Sequence, residues 1–249
     1  MSDKKLFIYG KHALEEAMAF APHVVRKVYL APTVTDPALR DALLKAKVAV
    51  ASLGSGKNPG GVEEDAAHQG VIAEISLSGL VSTYDDFVKT LEPTPNKALI
   101  VLNEVQDPHN VGAIIRSAAA FGIGAVLIPP HNQAPVTGTV VKVSAGMAFR
   151  VPLVEIGNVN HTLEDLKKRG FWIYGLAGEG ATSLSKEEFT QPAVFVLGNE
   201  GKGIREKTRE HCDILLSVPM HPGCESLNVG AAAAVTLYAW SVQHPEALT

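Results

Sequence analysis

The chain has 249 residues, 46% hydrophobic and 19% charged, with a formal net charge of −4. The length allows one large domain or two modest ones of an ordinary soluble globular protein. No apolar stretch approaches the ~18 residues that span a bilayer and MSDKKLFIYG is not a signal peptide, which excludes a membrane span and points to the cytoplasm.

The two cysteines, Cys212 and Cys224, suit a reduced compartment and read as buried free thiols. Nine histidines are scattered without ligand-like spacing, so no metal is expected. The acidic balance argues mildly against a nucleic-acid partner. It is uneven, however: residues 1–75 carry nine basic and nine acidic side chains, the remainder thirteen and seventeen. Lys4, Lys5, Lys11, Arg26 and Lys27 could form a basic patch or part of a mixed solvated surface.

In chain order, GKHALEEAMAFA has helical spacing, VRKVYLAP is a short strand, and DPALRDALLKAK is a helix with Pro37 in its first turn. VAVASLG and GVIAEISL follow as strands around a glycine-rich loop, GSGKNPGG. The pattern weakens over 79–96, whose EPTPN ending is linker chemistry, so a domain boundary is placed there. ALIVLNEV is the next strand, NVGAIIRSAAAFG a helix, AVLIPP a strand and TVVKVSAGMAF a helix. NHTLEDLKKRG is a helix closed by Gly170; FWIYGLA, AVFVLGNE and DILLSVPM are strands; SLNVGAAAAVTLYAWSV is the last helix. Near-continuous apolar strands separated by helices imply a parallel sheet covered on both faces, with sites at the carboxyl ends of its strands.

Three segments at such ends carry chemistry. GNEGKGIREK follows an apolar strand and contains a lysine, as a phosphate cradle does, but only Asn199 and Glu200 separate Gly198 from Gly201, and Gly203 follows Lys202. Neither a P-loop nor a dinucleotide fingerprint has that spacing, and Gly175, Gly178 and Gly180 miss it as well. Glu200 suits a cationic or neutral ligand; a tight strand-to-helix turn is the plainer alternative. In NEVQDPHNVGAIIRSAAAFG, Asn110 is placed to cap a helix that Gly122 ends, and Arg116 lies about 9 Å further along it. An arginine reaching back to the cap and one snorkelling to solvent both fit. In PMHPGCESLNVGAAAAV, Ser226 can cap the last helix with Asn228 in its first turn, and the alanine run permits close helix packing.

These three segments, in this order, resemble the three motifs of the SpoU (TrmH-type) RNA ribose 2'-O-methyltransferases across residues 99–240. GKHALEEAM and HQGVIAEI resemble the N-terminal L30e-like RNA-binding domain of the RlmB-type subgroup, which methylates a guanosine of large-subunit (23S) ribosomal RNA. The resemblance implies a C-terminal SPOUT α/β trefoil-knot methyltransferase domain over 97–249, a small L30e-like α/β domain over 1–78 and a linker over 79–96. A deep knot is something sequence physics alone would not propose. It also implies S-adenosyl-L-methionine as cofactor, ribosomal RNA as substrate and a homodimer through the knot domain. Carried over position by position, Gly178, Leu197, Gly198, Asn199, Gly201, Val218, Met220 and Leu227 match cofactor-contacting positions, and Asn110, Arg116, Glu200, Ser226 and Asn228 the polar catalytic set. Gly230 stands where many members have serine, and Cys224 replaces a small aliphatic residue; neither removes a catalytic position.

The implied reaction is attack of a ribose 2'-oxygen on a sulfonium methyl. Family proposals make the arginine, here Arg116, the base. A guanidinium keeps its proton above pH ~12, so Arg116 is read instead as gripping the adjacent phosphate and polarising the hydroxyl, with phosphate or water taking the proton. A transfer-RNA 2'-O-methyltransferase and a non-catalytic L30e-like RNA-binding protein are the alternatives. The N-terminal domain weighs against the first and the intact polar set against the second.

Overall fold

A computed structural model describes residues 4–54, 59, 62, 68–178 and 182–249. Most of the GSGKNPGG loop and Gly180 lie outside the described residues.

The first part of the chain runs β1 (Lys5–Tyr9), α1 (Lys11–Phe20), β2 (Val25–Leu30), α2 (Pro37–Lys45), β3 (Ala49–Ser52) and β4 (Val71–Ser76). Its sheet has the order β1-β4-β2-β3; β4 is antiparallel to both neighbours and β3 runs parallel to β2. Asp36 caps α2 through the Leu39 amide with Pro37 at the first helical position, as the sequence indicates. β1 was not evident in the sequence because its five residues directly precede a helix with no turn signal beyond Gly10.

The remainder runs α3 (Leu77–Leu80), β5 (Val81–Thr83), α4 (Tyr84–Phe87), β6 (Ala98–Leu102), α5 (Pro108–Ala120), β7 (Ala125–Ile128), α6 (Gly138–Val143), β8 (Leu153–Glu155), α7 (Val159–Lys168), β9 (Trp172–Leu176), β10 (Thr182–Ser183), β11 (Ala193–Leu197), α8 (Glu206–Arg209), β12 (Ile214–Ser217) and α9 (Val229–Gln243). Its sheet has the order β10-β12-β9-β11-β6-β7-β8-β5, and every pair is parallel. The segment expected as linker therefore carries an edge strand: Val81–Thr83 pairs with Leu153–Glu155, and Tyr84 and Phe87 pack under the sheet. TVVKVSAGMAF is not one helix. Ala145 and Gly146 adopt positive φ after α6, and Met147–Phe149 makes a separate 3-10 turn.

Both faces of the larger sheet are buried. Leu99, Val101, Val194 and Val196 face α7 through Leu163 and Leu166. Ile100, Leu102 and Phe195 join Ile114 and Ile115 of α5 and Leu237 and Trp240 of α9 on the opposite face. Apolar residues at successive strand positions serve both layers, which is why these strands read as unbroken apolar runs. The second cluster continues into Ile8, Leu14, Val28 and Ile75, so the smaller unit shares its core with the larger one.

Candidate active site

Because β12, β9, β11 and β6 are adjacent and parallel, their carboxyl ends open onto one edge of the sheet. Gly178 follows β9, Gly198 to Gly203 follows β11, Val218 to Asn228 follows β12 and Asn103 to Asp107 follows β6. The expected cofactor positions thus fall on three neighbouring strand ends. Leu197 is buried as the last residue of β11, Val218 is half-buried against the core, and Met220 and Leu227 are exposed. Gly178 and Gly201 are exposed, and a side chain at either would meet open space or, at Gly201, only the Asn199 amide.

The GNEGKG loop closes on itself. Asn199 and Gly203 exchange both backbone hydrogen bonds at 2.9 Å, and the Asn199 Oδ1 accepts from the amides of Gly201 (3.0 Å) and Lys202 (3.1 Å). A Cβ on Gly198 would run into the Gly203 backbone, so this close approach requires glycine there. The amides that a phosphate cradle would direct outward are taken by a side chain of the loop itself, which agrees with the spacing argument. Asn199 also donates to the Glu104 carbonyl at 3.0 Å, tying the loop to the segment after β6, where Glu104 pairs with Arg205.

Asn110 does not cap α5. The helix begins at Pro108, Asp107 is its cap through the His109 amide (2.8 Å), and Asn110 lies buried in the first turn. Proline at the first helical position needs no donor, which moves the cap one residue upstream of it. Ser226 does not cap α9 either. It is exposed and has no hydrogen-bond partner among the described residues; Asn228 is the cap, accepting from Gly230 (2.9 Å) and Ala231 (3.2 Å). These two corrections bring the asparagines together. Asn228 donates to the Asn110 Oδ1 at 2.8 Å, and Asn110 donates to the Glu200 carboxylate at 2.9 Å. Two helix N-termini and the loop after β11 meet at this chain of amides, and the positive helix ends favour the carboxylate there. Gly230 helps: a Cβ on it would press on Ala113 at 3.2 Å, so glycine lets α9 approach α5.

Arg116 stands apart. It is exposed on α5 and, among the described residues, has no hydrogen-bond or ion-pair partner. It lines a cleft of about 650 Å³ with His12, Ala119, Met147 and Arg150, where the smaller unit meets the larger. Of the five expected catalytic residues, one chain therefore assembles Asn110, Glu200 and Asn228; Arg116 and Ser226 are outside that network. Among the described residues no group of three or more His, Cys, Asp or Glu is close enough to hold a metal ion, and no helix is long and apolar enough to cross a membrane. Cys224 is exposed rather than buried, since it sits in the turn after β12; Cys212 is partly covered, and burial pushes its thiol up to about 11.

Sequence reasoning missed Asp107, the self-closing role of Asn199 and the Glu104–Arg205 pair. The Asp-Pro dipeptide was the available signal for the first, while the pair joins residues about a hundred positions apart and left none.

The fold and this strand-end site define a class. The structure superposes on the SpoU methyltransferase AviRb from Streptomyces viridochromogenes, solved in complex with the cofactor AdoMet, with a TM-score of 0.81 over 97% of this chain and 91% of that one at 21% identity. It also matches the AdoMet-bound rRNA methyltransferase from Sinorhizobium meliloti with a TM-score of 0.77, over 95% of this chain and 86% of that one at 18% identity. The model of the SpoU rRNA Methylase family matches residues 97–238, and the chain belongs to that family. It is 38% identical over 237 residues, 93% of either chain, to the 23S rRNA (guanosine-2'-O-)-methyltransferase RlmB of Pseudomonas syringae pv. tomato. Against the RlmB of Xanthomonas campestris pv. campestris it is 46% identical over 179 residues, 72% of either chain.

Proposed function

We propose that this protein is an enzyme that transfers a methyl group from S-adenosyl-L-methionine to the ribose 2'-oxygen of a guanosine in 23S ribosomal RNA. The Asn228–Asn110–Glu200 chain at the converging strand and helix ends is the observation that carries the reading. It gives the carboxylate of the loop after β11 a fixed place against α5 and, through Asn110, the segment after β12.

The residues present fit the cofactor. The donor set lacks a phosphate cradle, offers a carboxylate suited to a sulfonium or ammonium, and exposes Met220 and Leu227 as apolar surface on the segment after β12. When bound, S-adenosyl-L-methionine supplies an electrophilic methyl carried on a sulfonium. Gly178, Leu197, Gly198, Asn199, Gly201, Val218, Met220 and Leu227 would hold it, and Asn110 and Asn228 hold Glu200 in position. That chemistry would be methyl donation to a ribose 2'-oxygen, with the demethylated cofactor released as a neutral thioether. Arg116 grips the neighbouring RNA phosphate with its planar fork and polarises the hydroxyl, whose proton passes to that phosphate or to water. Alignment of two bound reactants and proton transfer are the two contributions asked of the site.

The remaining parts of the reading follow the family. Residues 1–78 serve as an L30e-like RNA-holding unit, 79–96 connect it, and 97–249 form a trefoil-knotted methyl-transfer unit that acts in the cytoplasm. The chain pairs as a homodimer through α9, whose exposed Ala231, Val235, Tyr238 and Val242 recur at helical spacing as an apolar stripe. A two-fold contact there places Arg116 of one protomer near the partner's cofactor loops, which accounts for its separation from the amide network within one chain. Calorimetry tests the cofactor reading: S-adenosyl-L-methionine or its demethylated product binds, and ATP and NAD do not. Strong ATP binding with no response to the methyl donor overturns it.

A further inference from the structure

The smaller unit is fastened to the larger one by more than its connecting segment. Glu16 of α1 is buried, and the Arg150 guanidinium holds it by two hydrogen bonds, Nε to Oε2 at 2.7 Å and Nη2 to Oε1 at 2.8 Å. The same guanidinium stacks on the Phe20 ring, 4.0 Å from its centroid. Two glycines of the larger unit make the approach possible. A Cβ on Gly138 would run into the Phe7 carbonyl oxygen, and one on Gly146 would come within 2.7 Å of the Glu16 Cγ. A planar fork on a carboxylate fixes orientation as well as distance, and the apolar core beneath is continuous across the two units.

The pair also shapes the cleft that contains Arg116. His12 lies one helical turn before Glu16 and is near enough to help lower its carboxyl, after the larger effect of the Arg150 hydrogen bond. With Glu16 satisfied by Arg150, the side chains lining the cleft are His12, Arg116 and Arg150 with small and apolar neighbours, and none is acidic. With Arg150 paired to Glu16, the cleft wall offers, among the described residues, the unpaired Arg116 guanidinium with His12 beside it and no carboxylate, which suits an anion.

We propose that Glu16 and Arg150 form an inter-unit latch that holds the smaller unit in one orientation, and that the cleft beside it seats one backbone phosphate of the RNA between His12 and Arg116. The proposal rests on the reading that RNA is the substrate. Arg150 is a positioning residue in it and His12 a binding residue.

Glu16→Gln separates the latch from plain electrostatics. Removing a negative charge beside the cleft would by itself tighten RNA binding. A broken latch weakens it instead, by about tenfold in Kd, because the two contact residues are no longer held together. Binding is measured with a full-length 23S rRNA transcript and purified protein, and small-angle scattering of the protein alone reports the orientation. The latch predicts a larger radius of gyration for Glu16→Gln and Arg150→Ala, unchanged S-adenosyl-L-methionine affinity, and a higher KM for RNA with kcat at saturating RNA nearly retained. The double variant is no worse than the single ones, since both remove one interaction. For the phosphate seat, His12→Lys tightens binding and steepens the salt dependence by about one unit of slope, and His12→Glu weakens binding. Tighter binding by Glu16→Gln with an unchanged scattering profile overturns the latch. Equal affinity and slope for the His12 variants overturn the seat. The scattering result holds whether or not the wild-type protein methylates RNA, so failure of the latch and failure of the methyltransferase reading are seen separately.

Discussion

Removing the middle member of the amide chain tests the site most sharply. Asn110→Ala deletes the 2.9 Å hydrogen bond to the Glu200 carboxylate and the 2.8 Å acceptor of Asn228. A hydrogen bond to a charged group contributes ~1.5–3 kcal/mol and a neutral one ~0.5–1.5 kcal/mol. Part of that is recovered because Glu200 can turn to water, leaving ~1.5–3 kcal/mol between the held and released carboxylate. If the held carboxylate is what binds and aligns the methyl donor, kcat/KM falls on the order of 10- to 100-fold. The fold survives, with a loss in Tm of about 2–8 °C for one to two kcal/mol in a chain of this size. Asn110→Asp is the more telling variant. It replaces the donor with a carboxylate facing that of Glu200, and two such groups at hydrogen-bond distance cannot both ionise without cost. At pH 7.5 Asp is therefore worse than Ala, and it regains activity as the pH falls and the pair takes up a shared proton. The assays are calorimetric cofactor binding and single-turnover transfer of labelled methyl to 23S rRNA. Wild-type cofactor affinity and rate in Asn110→Ala, with no pH recovery in Asn110→Asp, would refute the role given to the chain.

Arg116→Ala keeps cofactor affinity and loses methyl transfer, and Arg116→Lys is severely impaired because a point charge lacks the bidentate grip; near-wild-type single turnover by Arg116→Ala removes this residue from the mechanism. Gly198→Ala forces the loop after β11 away from Gly203 and weakens S-adenosyl-L-methionine binding by at least about tenfold, read by calorimetry, with the sheet intact by circular dichroism. The Glu16 carboxyl is held below its ordinary range chiefly by the Arg150 hydrogen bond. A depressed folded value means the pair stabilises the protein above the unfolded carboxylate range and loses that contribution as pH falls through the lowered value; in acid titrations Glu16→Gln is less stable than wild type at neutral pH and converges with it in acid. The partly covered Cys212 thiol, raised to about 11, reacts with iodoacetamide at pH 8 much more slowly than exposed Cys224, as peptide mapping after brief labelling would record.

The parallel α/β architecture was legible because its central strands are apolar throughout, as AVFVL is, and because a glycine stop such as Gly170 closes a helical run. Short strands at one end of the sheet left little signal: β5 and β8 have three residues each, and their pairing with one another is a long-range fact. Motif order pointed to Asn110, Glu200 and Asn228 as neighbours, and hydrogen bonds join them. Their local roles were not legible. The caps fall three and two positions from the expected ones: α5 starts at Pro108 and takes Asp107 rather than Asn110, and α9 starts at Val229 and takes Asn228, which accepts from the Gly230 and Ala231 amides, rather than Ser226. The docking of the two units had no sequence signal, because Glu16 and Arg150 are 134 positions apart and each reads alone as a surface charge.

The proposed activity is methylation of a guanosine ribose in large-subunit ribosomal RNA. Mapping 2'-O-methyl positions in the 23S rRNA of a strain lacking the protein, with and without the gene restored, tests it directly. One guanosine is expected to lose its 2'-O-methyl group in the deletion strain, to regain it with the wild-type gene and to stay unmodified with Arg116→Ala. An unchanged 23S rRNA map, or a lost methyl group found only in transfer RNA, would contradict it.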